Sequence, residues 1–175
     1  GQTFKVHFID VGAADGALLQ YGEGENAKYA LIDSGAYSYE TTDYDTIDVS
    51  DRVHQYLLDH GVKHLEFILL THPHQDHIGG MEKILSDTTI KIDKIYGNDL
   101  NIQYLKSSED KSKQSSDETN WTEFDTKIYK NFKAALEARN KLAEEAEDKT
   151  EKENLKVDYV VPTAGDTINF GEAKM

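Results

Sequence analysis

Phe4 to Val11 alternates between apolar and polar side chains and then runs apolar, a period of two that predicts a strand. Ala17–Tyr21 and Tyr29–Ile32 predict two more, separated by the turn-forming stretch GEGEN at 22–26. After Asp33-Ser34-Gly35 the pattern dissolves into AYSYETTDYDTIDVS, which reads as a polar loop rich in tyrosine and aspartate. From about Ser50 the period lengthens: Val53, Tyr56 and Leu57 share one helical face, and Gly61 marks the stop. Phe67–Leu70 is continuously apolar, as expected of a strand buried on both faces. Ile78–Leu85 predicts a short helix and Ile90–Tyr96 another strand.

Residues 98–120 are polar and predict a mobile loop. Asn120 and Glu123 then stand at capping-box spacing. Behind them Trp121, Phe124, Ile128, Phe132, Leu136 and Leu142 recur at helical spacing, predicting one long helix running toward the charged tract AEEAEDKTEKEN. Val157–Val161 and Thr167–Phe170 read as strands joined by a Pro-Thr-Ala-Gly-Asp turn. Strand, helix, strand, loop, helix, strand is an α/β order, and 175 residues suffice for a single domain with a real core.

Composition narrows the chemistry. The chain has no cysteine, so disulfides and thiolate ligands are excluded and any metal must be held by histidine and carboxylate. Its net charge of −14 disfavours an extended nucleic-acid-binding surface, without excluding phosphate chemistry at a metal, where the ion reverses the local sign. No apolar run approaches the length of a membrane span.

Against that background one stretch stands out. ILLTHPHQDHIGG, Ile68 to Gly80, places three of the seven histidines and an aspartate within six residues, directly behind the apolar strand. Pro73 disfavours a helical His72, so the segment starts extended. In extended chain, residues two apart share a side, which lets His72, His74 and Asp76 converge, while His77 falls where the chain turns into the helix. Three imidazoles and a carboxylate suit zinc, with iron and manganese as alternatives. The position at the carboxyl end of a strand is where open α/β sheets place their sites.

Thr71-His72-Pro73-His74-Gln75-Asp76-His77 resembles the HxHxDH signature of the metallo-β-lactamase fold superfamily, and Asp33-Ser34-Gly35 resembles its Asp-x-Gly turn. That resemblance implies a two-zinc hydrolase acting through a metal-bound hydroxide. His72 and His74 would bind one ion, Asp76 and His77 the other. Asp76 would also orient the nucleophile as the catalytic residue, with Asp33 bracing the loop from behind. FIDVGAADGALL is similar to the opening of the branch containing the DNA-uptake competence protein ComEC, although Ala13-Ala14 replaces the usual Gln-Gly. THPHQDHIG and the Gly61-Val62-Lys63-His64-Leu65 approach also resemble phosphorylcholine esterases of Gram-positive cell surfaces. These relatives imply a phosphodiester-type or other small-molecule substrate, with lactone and thioester hydrolysis as further options of the same fold. They also imply a bacterial extracellular or cell-surface setting, a cytoplasmic one remaining an alternative.

The superfamily completes its site with later histidines, and no histidine follows His77. The resemblance therefore implies the amino-terminal half of an αββα sandwich in one apparently truncated domain, 1–175, with residues 98–156 as a loop-plus-helix insertion. Such a half would leave one apolar sheet face seeking its missing carboxyl-terminal half or a second copy of the chain. The opposing expectation is a non-catalytic module with an incomplete metal site. For the tyrosine-rich loop, tyrosines packed against the domain are expected ahead of an aromatic cradle for a quaternary ammonium.

Overall fold

In the computed structural model, which describes residues 2–11, 16–100, 103–105, 121–123, 127–171 and 173–174, the predicted α/β order holds. Strands β1 (Phe4–Phe8), β2 (Ala17–Tyr21) and β3 (Lys28–Ile32) form an antiparallel meander. The hairpin β4 (Ser38–Glu40) and β5 (Thr46–Asp48) follows, then helix α1 (Arg52–Asp59) and strand β6 (His64–Leu69). Two short helices, α2 (Gln75–Ile78) and α3 (Met81–Ser86), lead to β7 (Lys91–Tyr96). Next come the paired strands β8 (Gln103–Leu105) and β9 (Trp121–Glu123), helices α4 (Lys127–Glu145) and α5 (Lys149–Leu155), strand β10 (Asp158–Val160), and the small hairpin β11 (Asn169–Phe170) and β12 (Ala173–Lys174).

The main sheet has the order β1-β2-β3-β6-β7-β10, with β3, β6, β7 and β10 parallel. Because the parallel strands advance in one direction across the sheet, right-handed crossovers put every connecting helix on the same face. The larger core lies on that face. Leu18, Leu31 and Ile68 from the strands meet Val53 and Leu57 of α1, Met81 and Ile84 of α3, and Tyr129, Phe132 and Leu136 of α4. The opposite face carries a smaller cluster of Leu19, Ala30 and Phe67, covered by Phe170 of β11.

Four expectations need correction. The residues 36–50 are not a bare loop but carry the β4–β5 hairpin, whose register sets Tyr39 opposite Ile47. The helix expected over Ile78–Leu85 is split at Gly79-Gly80 into α2 and α3. Trp121 does not open the long helix: it lies in β9 opposite Leu105 of β8, within the span read as loop and helix start. Its spacing to Phe132 and Leu136 fits a helical face, but tryptophan suits a pleated strand equally well, so periodicity alone could not separate the two. The helix begins at Lys127 and breaks before Asp148, whose side chain caps α5 by accepting from the Glu151 amide. Phe124 and the expected cap at Asn120 lie outside the described residues, as does most of the 98–120 segment.

Candidate metal centre

Two segments far apart in sequence are laced together at the carboxyl edge of β3 and β6. The Asp33 amide donates to Leu69 O at 2.8 Å, and the Ser34 amide to His77 O at 2.7 Å. The Ser34 hydroxyl also donates to His77 O at 2.9 Å and accepts from the Gly80 amide at 3.2 Å. The Gly79 amide donates to Gly35 O at 2.9 Å. This approach explains the glycine pair: a Cβ on Gly79 would stand 2.1 Å from the Ala36 carbonyl carbon and the Tyr37 nitrogen. Glycine is required there by contact between two backbones.

Asp33, only 2% exposed, sits behind the motif loop. Its Oδ1 accepts from the Thr71 amide at 2.8 Å and its Oδ2 from the Thr71 hydroxyl at 2.6 Å. His77 Nδ1 lies 3.0 Å from the same Oδ2. His77 is buried, and its Nε2 is 3.5 Å from Asp76 Oδ2. His72, His74 and Asp76 are exposed at the mouth of the loop. The ring centroid of His72 lies 4.7 Å from that of His77 and 6.2 Å from that of His74. Thus the structure brings His72, His74, Asp76 and His77 to one rim, with Asp33 beneath it.

As placed, no three His, Asp or Glu groups among the described residues close around a common point that could hold an ion. The donor chemistry nonetheless fits a borderline divalent cation. A carboxylate on Nδ1 of His77 matches the carboxylate–histidine arrangement common at metal sites, in which the other ring nitrogen would ligate the ion. The side chains of His72, His74 and Asp76 are exposed at the same loop.

The loop after β7 flanks the motif on the same edge, where the Leu70 amide donates to Tyr96 O at 2.8 Å. Tyr159 donates its hydroxyl to Asn98 O, Tyr129 donates to Asp99 O at 3.3 Å, and Lys133 donates to Leu100 O at 3.1 Å. Burial pushes the Tyr159 hydroxyl far above the ordinary phenol range, reinforced by the neighbouring Tyr129 phenol and Asp99 carboxylate, so it remains a donor. Sequence reasoning assigned no role to Thr71 and Ser34. The one available signal was their place inside the two motifs, since a hydroxyl beside a turn is too common to single out.

Sheet, edge loop and buried carboxylate define a class of α/β domain with a His- and Asp-rich loop at the carboxyl edge of its parallel strands. The chain belongs to the metallo-beta-lactamase superfamily, whose family profile matches residues 17–167. No curated protein matches the chain. Membership gives it the general chemistry of a metal-dependent hydrolase, with zinc or another metal ion as the cofactor of the fold. Among the described residues no helix is long and apolar enough to cross a membrane.

Proposed function

We propose that this chain supplies the metal-binding loop of a hydrolase of phosphodiester-type substrates, with His72, His74, Asp76 and His77 as ligands and Asp33 as their brace. The observation that carries the reading is the triple grip of Asp33 on Thr71 and His77, which fixes the base of the donor loop and holds His77 by Nδ1 alone, away from the exposed side chains of His72, His74 and Asp76. A divalent ion bound there would supply Lewis-acid polarisation of a phosphoryl or carbonyl oxygen and would acidify water. Asp76, exposed beside His77, would be placed to accept a hydrogen bond from a water there and orient it. A cationic centre set in a chain of net charge −14 suits a small anionic diester better than a long polyanion, which the surrounding surface repels.

Placement in the ComEC-like branch, and a bacterial surface setting, belong to the same proposal. The middle of the supporting FIDVGAADGALL stretch, Gly12–Asp15, lies outside the described residues. A second reading, phosphorylcholine esterase activity, gains support from the β4–β5 hairpin. Tyr44 at its tip is 87% exposed rather than packed, among Glu40, Asp43 and Asp45, groups able to face a quaternary ammonium.

The test is metal content by elemental analysis, with parallel assays on an aryl phosphodiester, a phosphorylcholine ester and a lactone. About one or two ions per chain are expected, with none in the His72→Ala/His74→Ala double variant and the aryl diester cleaved fastest. Preference for the phosphorylcholine ester would select the second reading, and preference for the lactone would remove both. A metal-free chain that cleaves none of the three would leave the non-catalytic module.

A further inference from the structure

We propose that Thr71 is a positioning residue that sets the tautomer of His72, keeping Nδ1 protonated so that Nε2 is the nitrogen free to bind a metal. The inference rests on the reading of this loop as a metal centre, but its geometry is a matter of proton accounting.

An ionised carboxylate can only accept hydrogen bonds, and a threonine hydroxyl has one proton to give. The Thr71 hydroxyl stands 2.6 Å from Asp33 Oδ2, the short separation of a charge-assisted O–H···O bond, so its proton is committed there. What remains on Thr71 Oγ1 is lone-pair density. Two ring nitrogens face it: His72 Nδ1 at 3.1 Å and His77 Nδ1 at 3.2 Å. Each must carry a proton to make a favourable contact. For His77 this is over-determined, because Nδ1 also lies 3.0 Å from Asp33 Oδ2. His72 is exposed, and its Nδ1 meets the Thr71 hydroxyl.

A neutral imidazole holds one N–H, so protonation at Nδ1 leaves Nε2 as the basic, ligating nitrogen. One residue thereby connects the buried carboxylate to two imidazoles: directly to His72 and jointly with Asp33 to His77. Valine at position 71 would keep the shape and remove the acceptor, whereas serine would keep it.

The test is the long-range proton–nitrogen NMR spectrum of the histidine rings in the full chain without metal, at about pH 8, above the ordinary imidazole range. In wild type and Thr71→Ser, His72 and His77 are both expected to show Nδ1–H. In Thr71→Val, His72 is expected to move toward Nε2–H while His77, still held by Asp33, stays Nδ1–H. Zinc affinity, read by competition with a chromophoric chelator, should fall roughly 10- to 100-fold in Thr71→Val and be restored in Thr71→Ser. A wild-type His72 protonated at Nε2 overturns the proposal with no variant needed. So does a His72 tautomer unchanged in a folded Thr71→Val protein. If the tautomers divide as described and no variant binds zinc, the metal reading fails and the control of the ring by Thr71 stands. If zinc binds all variants alike and the rings do not respond, Thr71 is only a structural tie.

Discussion

Asp33 lies at φ 57°, in the left-handed region that asparagine and aspartate enter more readily than other residues with side chains. That twist ends β3 and turns the carboxylate back under the loop that follows β6. Asp33→Ala therefore loses both the tolerated backbone and an acceptor for three donors. It is expected to cost roughly 1–3 kcal/mol for each donor left buried without a partner, read as a fall in the urea midpoint. Asp33→Asn keeps the turn and one acceptor oxygen, and should retain more than half of that stability. Equal losses in the two variants would mean that the hydrogen bonds contribute little. At Gly79 a methyl group would have to enter two backbones at once, so Gly79→Ala should destabilise by at least about 2 kcal/mol in the same measurement. At this scale Asp33 and the His/Asp residues of the loop stand out in the sequence, because they stand in compact motifs. The sequence could not disclose Ser34 and Thr71, whose partners are 43 and 38 residues away.

Among the elements, helix α4 is tied to its neighbours by several side chains, and Arg139 makes the most of these bonds. Arg139 is 2% exposed and donates to the carbonyls of Leu155 at 2.9 Å, Ile90 at 2.6 Å, Asp87 at 3.1 Å, Asn154 at 3.2 Å and Leu85 at 3.3 Å. These carbonyls lie around the ends of α3 and α5, where helix dipoles favour a cation. Arg139→Met should cost about 3 kcal/mol or more, because it leaves several buried carbonyls unpaired at once; thermal melting of the variant checks this. The turn from α3 to β7 is fastened at Asp87 as well. Burial pushes the Asp87 carboxyl up, but hydrogen bonds from the Thr89 hydroxyl, the His54 ring and the Thr89 amide, with the charge of His54, outweigh it and hold the group below the usual carboxylate range. A depressed folded value means that this contribution is fully present above about pH 4, the ordinary value in the unfolded chain. It is lost as pH falls through the folded value. The stability gap between wild type and Asp87→Asn should therefore narrow on acidification from neutrality, and a gap that widened would contradict the assignment. Neither attachment was visible from periodicity. A helical pattern marks Phe132 and Leu136 as inward and places Arg139 on the same stripe, yet an arginine there reads as polar until the carbonyls around it are known.

Across the molecule, charge and hydrophobicity are arranged in opposition. The helices that cross between the parallel strands cover one face of the main sheet, and among the described residues Phe170 and Ile168 shield part of the other. At the β1 edge of that second face Phe4, Val6 and Phe8 align opposite Tyr21, Leu19 and Ala17, and Phe8 is 85% exposed. Alternation in FKVHF foretold one apolar side, but a strand pattern does not say whether anything covers it. An edge strand presenting such a row is prone to pair or pack with another chain. A net charge of −14 works against contact between copies, and salt screens it, with a Debye length of about 10 Å at 0.1 M. The 175-residue chain alone is thus expected to show an apparent mass that rises with protein concentration in light scattering. Added sodium chloride should strengthen the effect, and the Val6→Lys/Phe8→Lys pair should abolish it while leaving the far-ultraviolet circular dichroism unchanged. Association that salt weakened would instead implicate ion pairs. A mass independent of concentration with and without added salt would mean that the exposed edge is too small, or its charged surroundings too repulsive, for copies of this chain to meet there.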